Sequence, residues 1–181
     1  MVETVGRVFA AVVLPSDIRL ALADRVSQLD IPGKLVPAEN WHVTLRFLGV
    51  IDEVTLDRFL HGLAEVGDVP SFRIRLDRVG AFPKPSRATV VWIGVSEGDK
   101  TLGLLNEIAE NAASASGLEP EDRPYHPHLT LSRVRPPVDV RGLVDTTVEA
   151  GWIAEEVTVF RSILGSGGAR YEVLDTFELA R

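Results

Sequence analysis

The chain has 181 residues, of which 45% are hydrophobic and 25% charged, and its formal net charge is −7. This size and composition are ordinary for one globular domain, and no apolar run is long enough for a membrane-spanning helix. The negative charge argues against binding along a nucleic-acid backbone, because that affinity comes from many Lys and Arg side chains. The absence of Cys excludes disulfides and a thiolate nucleophile, and we expect a soluble cytoplasmic protein.

The first half of the chain predicts strands that alternate with helices. A Val-rich run over 7–14 predicts a buried strand, and the apolar spacing over 16–29 predicts a helix that ends before Pro32-Gly33. A strand that begins at Trp41 comes next. A second helix is predicted over 52–66, and the clean alternation over 72–77 predicts a half-buried strand.

The second half repeats this order. Its predicted elements are a strand over 88–95, a helix over 100–116, a strand from His128, a short helix or turn over 138–144 and a strand within 152–164. Pro136-Pro137 is expected to break the chain, and a last strand over 171–179 follows a turn at 165–168. The repeated order predicts one domain over 1–181, with an internal duplication of roughly 7–80 and 88–164 and a final strand.

Two of the predicted strands carry the same pattern, a histidine, an aliphatic residue, a threonine and a leucine. Successive side chains of a strand point to opposite faces, so His42 shares a face with Thr44, and His128 shares one with Thr130. An imidazole, with an ordinary pKa of about 6.5, can act as base or acid near neutral pH, and hydroxyls can donate hydrogen bonds to phosphate oxygens. The pattern therefore predicts one acid–base site for a phosphoryl substrate. Its symmetry leaves open which histidine is the base.

Two arginines are candidate contacts for the phosphate. Strand alternation places Arg46 on the face of His42, but it turns Arg133 away from His128, so that contact needs a bulge or a strand end. His126 lies two residues before His128, a spacing that also occurs in metal sites. No metal is expected, because no carboxylate or third histidine is placed to complete a set of ligands.

These motifs resemble the two-histidine (2H) phosphoesterase superfamily, and most closely its RNA 2′,3′-cyclic phosphodiesterase branch, also called the 2′-5′ RNA ligase or LigT-like family. The resemblance covers nearly the whole chain. The blocks that carry it are residues 7–10 with 14–15, 41–49, 82–87, 124–133 and 168–174. Ser132, where Ala is frequent, and Glu178, where Pro is frequent, depart from the family pattern without touching the proposed chemistry.

The resemblance implies an α+β fold: a bilobal, duplicated α/β chain with two mainly antiparallel sheets flanked by helices, a pseudo-twofold axis and a cleft between the lobes. It also implies hydrolysis of a terminal 2′,3′-cyclic phosphate in RNA to a 2′-phosphate, without metal or cofactor. Members of this family can also join RNA ends through a 2′-5′ bond. By this analogy His128 activates water, His42 protonates the leaving 3′ oxygen, and Thr44, Thr130 and Arg133 hold the phosphate.

Other functions stay open on the sequence alone. Sister enzymes that act on an ADP-ribose cyclic phosphate or on 2′-5′ oligoadenylates would have the same site, and so would a nucleotide-binding or RNA-end-binding module without turnover. A metal-dependent hydrolase is a further alternative. The expected partner is an RNA that ends in a 2′,3′-cyclic phosphate, with no membrane or DNA partner, and the expected state is a monomer.

Overall fold

A computed structural model describes residues 4–166 and 168–181, and these residues form an α+β fold. The strands are β1 (Thr4–Val13), β2 (Lys34–Leu35), β3 (His42–Asp52), β4 (Phe72–Phe82), β5 (Ala88–Glu97), β6 (His128–Val138), β7 (Thr147–Ala154), β8 (Glu156–Gly165) and β9 (Gly168–Glu178). The helices are α1 (Ser16–Val26), α2 (Glu53–Leu63) and α3 (Asp99–Ala115), with short 3-10 turns at Ala38–Asn40, Ala64–Asp68 and Pro85–Arg87. None of the helices in this part of the chain has the length and apolar character needed to cross a membrane.

The strands form a sheet in the order β7-β4-β5-β6-β3-β1-β8-β9, and β2 pairs with β6. Neighbouring strands in this order run antiparallel. The sheet has two halves that meet between β3 and β6 at a single residue pair, Val43 and Leu129. The expected α+β fold with mainly antiparallel strands is confirmed, and the two expected sheets are joined at this pair.

The two halves of the sheet have the same internal register. Residues of β1 correspond to residues of β5 that lie 81 positions later, as Phe9 does to Val90, and residues of β3 correspond to residues of β6 that lie 86 later. The matching cross-strand pairs are Phe9–Phe47 and Val90–Arg133, Ala11–Thr44 and Trp92–Thr130, and Val13–His42 and Gly94–His128. Such a register is what an internal duplication would produce.

The last strand of each repeat crosses to the opposite half of the sheet. β4 follows the first motif in the chain but pairs with β5, whereas β8 follows the second motif and pairs with β1. Each half of the sheet therefore contains strands from both halves of the sequence, and the two halves cannot separate without breaking a strand ladder.

The main core lies between one face of the sheet and the helices. α2 begins at an N-cap, Asp52, whose side chain accepts a hydrogen bond from the Thr55 amide at 2.8 Å. α2 and α3 pack closely where Gly62 faces α3, since a Cβ there would come within 2.9 Å of the Ala112 Cβ. A smaller apolar cluster that includes Phe9 and Phe160 is separate from this core. The face of the sheet that carries this cluster is also the face of the histidines.

Several predicted elements differ in their bounds. α1 ends at Val26, and the expected single strand within 152–164 is divided between β7 and β8. The expected break at Pro136-Pro137 is wrong, because β6 continues to Val138. Both prolines fall in a register gap of the ladder with β5, where a strand can accommodate a residue that lacks an amide hydrogen. The predicted turn at 165–168 includes Gly167, which lies outside the described residues.

Candidate active site

The two His-x-Thr motifs meet where the halves of the sheet join. β3 and β6 run antiparallel with Val43 opposite Leu129, and both of these side chains are fully buried in the core. Their neighbours in sequence point to the other face, so His42 lies beside Thr130 and Thr44 lies beside His128 across the join. All four motif side chains are half-buried. The structure thus brings the predicted histidines and threonines together, with the imidazoles on a diagonal.

His42 is held in one orientation by backbone and by aromatic rings. Its Nδ1 lies 2.8 Å from the Asn40 carbonyl oxygen, and its Nε2 lies 3.0 Å from the Thr44 hydroxyl. A carbonyl can only accept a hydrogen bond, so Nδ1 carries the proton and Nε2 accepts the hydroxyl hydrogen of Thr44. The ring stacks on Phe9 at 4.8 Å between centroids and meets the edge of Tyr171 at 5.5 Å.

His128 is held in the same way in the second motif. Its Nδ1 donates to the His126 carbonyl oxygen at 2.7 Å, which again leaves Nε2 as the nitrogen without a proton. Its ring packs against Phe82 at 5.0 Å and Trp92 at 6.0 Å. In both motifs the backbone carbonyl two residues before the histidine fixes the tautomer, although the residues that carry it, Asn40 and His126, differ.

Both imidazoles have depressed pKa values. The pKa of His42 is lowered to about 4, mainly by burial. The hydrogen bond to the Asn40 carbonyl opposes this shift, whereas repulsion from His128 and Arg133 adds to it. Burial also lowers the pKa of His128 from its usual value, with repulsion from His126 and Arg133 acting in the same direction and the His126 carbonyl opposing them. Both rings are therefore neutral at pH 7 in the free protein, and an anion bound between them would favour protonation of either one.

A β-bulge follows each motif and changes the direction of the side chains beyond it. On β3, Thr44 lies opposite Ala11 and Arg46 lies opposite Ala10, which leaves Leu45 as an extra residue. β6 has the same irregularity at the equivalent residue, Leu131. Two successive side chains are consequently buried after each threonine, and the alternation resumes with the opposite parity.

The bulge removes Arg46 from the site. Its side chain is 9% exposed, and its Nε forms an ion pair with Glu110 of α3 at 2.7 Å. Its other guanidinium nitrogens donate to the carbonyl oxygens of Phe47 and Glu119. The prediction that Arg46 shares the face of His42 is wrong, because the alternation on which it rested stops at Leu45.

The equivalent bulge turns Arg133 toward the site. Arg133 lies opposite Val90 and is exposed, and its positive charge lowers the pKa values of His42, His128 and Tyr171. This is the bulge that Arg133 needs in order to share a face with His128. Arg133 thus lies near both histidines.

The sequence analysis missed several residues that shape the site. The Tyr125 hydroxyl donates to the Thr44 carbonyl oxygen at 2.9 Å, so the segment before β6 is tied to β3. Trp92 lies against Gly80, where a Cβ would fall within 2.2 Å of the indole ring. The sequence signal for Tyr125 was its place three residues before His128, whereas Trp92 becomes visible only once its pairing with Thr130 is known.

His126 stacks near His128 without completing a set of metal ligands. The two ring centroids are 6.3 Å apart, and His126 also meets Trp92 at 5.1 Å and Phe82 at 5.5 Å. Among the described residues no group of three or more His, Cys, Asp or Glu side chains is arranged to hold a metal ion. His126 therefore contributes a carbonyl acceptor and an aromatic surface to the site.

Comparison with known proteins places this geometry in a family. The model of the family described as LigT like Phosphoesterase matches twice, over residues 12–92 and 93–171, and each match contains one of the two histidine motifs. The chain belongs to this LigT-like phosphoesterase family. The resemblance drawn from the two motifs is thereby confirmed.

Family members from several organisms align with most of the chain. A protein from Aeropyrum pernix named RNA 2′,3′-cyclic phosphodiesterase is 36% identical, over 86% of this chain and 92% of its own length. A protein of the same name from Archaeoglobus fulgidus is 36% identical, over 95% of this chain and 99% of its own. A crystal structure of a protein from Thermus thermophilus superposes with a TM-score of 0.81 at 28% identity and covers 95% of this chain and 97% of its own.

Proposed function

We propose that this LigT-like phosphoesterase opens the 2′,3′-cyclic phosphate at the end of an RNA and leaves a 2′-phosphate. The observation that carries the proposal is the pair of identically oriented imidazoles, each with its Nε2 unprotonated and its Nδ1 bound to a carbonyl, on the shared face of β3 and β6. The relatives that bear the name RNA 2′,3′-cyclic phosphodiesterase support the choice of substrate.

The proposed reaction is one displacement at phosphorus. His128 Nε2 takes a proton from water, whose oxygen attacks the phosphorus, and the bond from phosphorus to the 3′ oxygen breaks. His42 donates a proton to that oxygen, so the product carries a 2′-phosphate and a 3′-hydroxyl. The imidazoles exchange protonation states in each turnover, and the starting state is restored when His128 releases one proton to water and His42 takes one up.

The remaining groups of the site would bind the phosphate. The hydroxyls of Thr44 and Thr130 and the guanidinium of Arg133 can each donate to a non-bridging oxygen, where negative charge increases during the attack. The phosphate would also allow His42 to act as the acid. His42 must be protonated for this step, and the negative charge of the bound phosphate raises its depressed pKa. Joining of RNA ends through a 2′-5′ bond would use the same displacement with a 5′-hydroxyl in place of water: its oxygen attacks the phosphorus, His128 takes its proton, and the 3′ oxygen leaves with the proton of His42.

The direct test is hydrolysis of a short RNA that ends in a 2′,3′-cyclic phosphate, in the presence of EDTA, with identification of the product. We expect a 2′-phosphate, and we expect His42→Ala and His128→Ala to lose nearly all turnover while remaining folded. His61→Ala is the matched control, because His61 is an exposed residue of α2. A 3′-phosphate product, or normal rates in both motif variants, would contradict the proposal.

Substrate choice is tested with the same protein on smaller molecules. Rates on a mononucleoside cyclic phosphate, an ADP-ribose cyclic phosphate and a 2′-5′ oligoadenylate are compared with the rate on RNA. We expect RNA to give the highest kcat/KM. Preference for one of the small molecules would assign the chain to a sister activity, tight binding of RNA ends without turnover would make it a binding module, and loss of activity in EDTA would indicate a metal-dependent hydrolase.

The test of which histidine is the acid and which is the base uses a substrate whose leaving group needs no proton. A cyclic phosphate whose bridging 3′ atom is sulfur releases a thiolate, which leaves without a proton because thiols are far more acidic than alcohols. We expect this substrate to restore much of the activity of His42→Ala and little of that of His128→Ala. The opposite pattern would exchange the two roles.

We further propose that the protein acts as a monomer in the cytoplasm, on RNA and without DNA or membrane partners. The supporting observations are its sequence without Cys and a site whose four motif side chains all come from one chain. Light scattering of the purified protein tests the monomer, and a mass of two chains would contradict it. Fractionation of cells tests the location.

A further inference from the structure

The face of the sheet that carries His128 continues past the site as a groove. Gly94 of β5 lies opposite His128, and a cavity of about 380 Å³ begins there, lined by Trp92, Gly94, Ser96 and Arg78 among others. Arg78 pairs with Asp77 at 3.4 Å at this groove. The groove therefore leads away from the catalytic histidines along β5 and β4, with an aromatic ring at its beginning.

A second cavity lies where α1 meets β4 and β7. Arg73 and Arg75 alternate along β4 with Ile74 and Leu76 of the main core, so they leave β4 on the face opposite to that core. The cavity has a volume of about 320 Å³, and Arg25, Arg73 and Arg75 reach it from two different elements. Its lining also includes apolar side chains of α1, such as Ile18 and Leu22. An apolar floor with several guanidinium groups at the rim suits a sugar and a phosphate.

The charges of this arginine cavity do not balance. Three arginines line it with one carboxylate, Glu149. Arg75 pairs with Glu149 at 2.6 Å, and Arg25 donates to the backbone carbonyl of Glu149. Arg73 has its carboxylate partner, Glu97, outside the cavity at 3.6 Å, and both side chains are more than half exposed. Exposed ion pairs of this kind contribute little to stability, so an anion can replace them at low cost.

We infer that the arginine cavity binds a backbone phosphate of the RNA strand upstream of the cyclic end, and that the groove at Trp92 leads the strand to it. Arg75 of β4 lies opposite Glu97 of β5, and Glu97 lies three residues after Gly94, the partner of His128. β4 is two strands away from β6 in the sheet. With about 3.3 Å per residue and about 4.8 Å per strand, this separation is about 14 Å from His128. That is a span of a few nucleotides.

The inference rests on the proposed function and makes it more specific. Arginine binds phosphate through paired hydrogen bonds, and a local cluster of three can hold one or two phosphates although the chain as a whole carries a charge of −7. An oligonucleotide would then be bound more tightly than a mononucleotide that has the same reactive group.

Ala21 offers a test that leaves the arginines and the catalytic residues intact. Ala21 is an exposed residue of α1 that lines the arginine cavity, and Ala21→Glu would add a carboxylate there, whereas Ala21→Gln would add nearly the same volume without charge. We expect Ala21→Glu to raise KM for a ten-nucleotide RNA with a cyclic end by about 3-fold to 10-fold, a change of about 0.7 to 1.4 kcal/mol. kcat should stay constant, and Ala21→Gln should behave as wild type.

A second pair of variants tests the arginines directly. Arg73→Gln should raise KM for the ten-nucleotide RNA, whereas Arg141→Gln should not, since Arg141 is an exposed arginine that pairs with Asp139 outside both cavities. Neither variant should change kcat/KM for a mononucleoside 2′,3′-cyclic phosphate. The slope of log KM against log salt should fall by about 0.7 in Arg73→Gln for each phosphate that the variant no longer binds.

The outcomes separate this inference from the proposed function. If wild type hydrolyses both substrates and the variants match it on the ten-nucleotide RNA, the inference is wrong and the function stands. Equal losses on the short and the long substrate would also overturn it, because they would reflect a structural effect. If wild type hydrolyses neither substrate, the proposed function fails, and the Kd of a fluorescent RNA is compared instead. An unchanged Kd in Ala21→Glu and Arg73→Gln then overturns the inference, and a weaker Kd supports it.

Discussion

Phe47 and Arg133 occupy equivalent positions in the two halves of the site. Each lies five residues after its motif histidine and is returned to the site face by a bulge, one opposite Phe9 and the other opposite Val90. The Phe47 ring lies 5.6 Å from Phe9 and is 54% exposed, whereas Arg133 adds a positive charge that acts on both histidines. The symmetric backbone thus carries an asymmetric site, with the cation on the side of His128.

Replacement of Arg133 should therefore reduce catalysis strongly. We expect Arg133→Ala to lower kcat/KM by about 10²-fold to 10³-fold, the usual effect of removing one donor to a developing negative charge, and Arg133→Lys to retain an intermediate rate. Arg135→Ala is the control, because Arg135 is an exposed arginine two residues along the same strand. A rate for Arg133→Ala within a factor of two of wild type would remove Arg133 from the site.

Arg46 should matter for stability and not for catalysis. Arg46→Met removes the ion-pair partner of the half-buried Glu110, and breaking a buried ion pair costs about 3–5 kcal/mol. Glu110 is 22% exposed, so we expect the lower end of this range in urea unfolding. kcat/KM at low temperature should stay near that of wild type.

The double variant Arg46→Met with Glu110→Gln completes a mutant cycle. We expect it to be more stable than the sum of the single changes predicts, because neither charge is then left unpaired. Loss of catalysis in a fully folded Arg46→Met protein would instead support the original interpretation of Arg46 as a phosphate contact.

These arginines show where strand alternation stops being informative. The motif histidines and threonines could be assigned to one face because they lie within two residues of each other. A single extra residue, Leu45 in β3 or Leu131 in β6, inverts the alternation beyond it. The sequence signal for such a bulge is weak, because both positions hold an ordinary aliphatic residue, and so Arg46 was misplaced.

The order of strands and helices along the chain could not predict which strands pair in the sheet. Regular alternation of strands and helices is compatible with parallel sheets, and the antiparallel arrangement was available only from the family resemblance. The exchange of β4 and β8 between the halves depends on pairing of distant segments, such as Phe9 with Phe160. Nothing in the local pattern of either strand specifies its partner.

The pH dependence of kcat/KM should be a bell with its maximum below pH 6.5. The proposed reaction needs one neutral and one protonated imidazole. Both imidazoles have pKa values below the usual 6.5 in the free protein, and that of His42 is about 4. The active form is therefore most abundant between the two pKa values. The maximum of kcat should lie at a higher pH than that of kcat/KM, because bound phosphate raises the pKa values of both histidines. A maximum of kcat/KM above pH 7.5 would contradict the depressed values.

The same shift should make the fold less stable in acid. The folded state holds His42 neutral down to about pH 4, whereas the unfolded chain takes up a proton near pH 6.5, so stability falls as the pH decreases through this window. The loss is up to about 3 kcal/mol for this residue. We expect the difference in unfolding free energy between wild type and His42→Gln to change by this amount between pH 7 and pH 4. A constant difference would contradict the shift.

Gly80 should be required because of Trp92. A Cβ on Gly80 would overlap the indole ring at 2.2 Å, and a Cβ on Gly94 would lie 3.0 Å from it. Overpacking of this kind costs about 1–3 kcal/mol, so we expect Gly80→Ala to lower the free energy of unfolding by that amount. The displaced ring would also disturb His128, whose centroid lies 6.0 Å away, and reduce kcat.

Removal of the ring should abolish this effect of the methyl group. In a Trp92→Val background, Gly80→Ala should change the free energy of unfolding by less than about 0.5 kcal/mol, since the two positions then no longer compete for space. Gly103→Ala is the control, because a Cβ there meets nothing within 4 Å. An equal cost of Gly80→Ala in both backgrounds would show that the backbone at Gly80, and not the indole, sets the requirement for glycine.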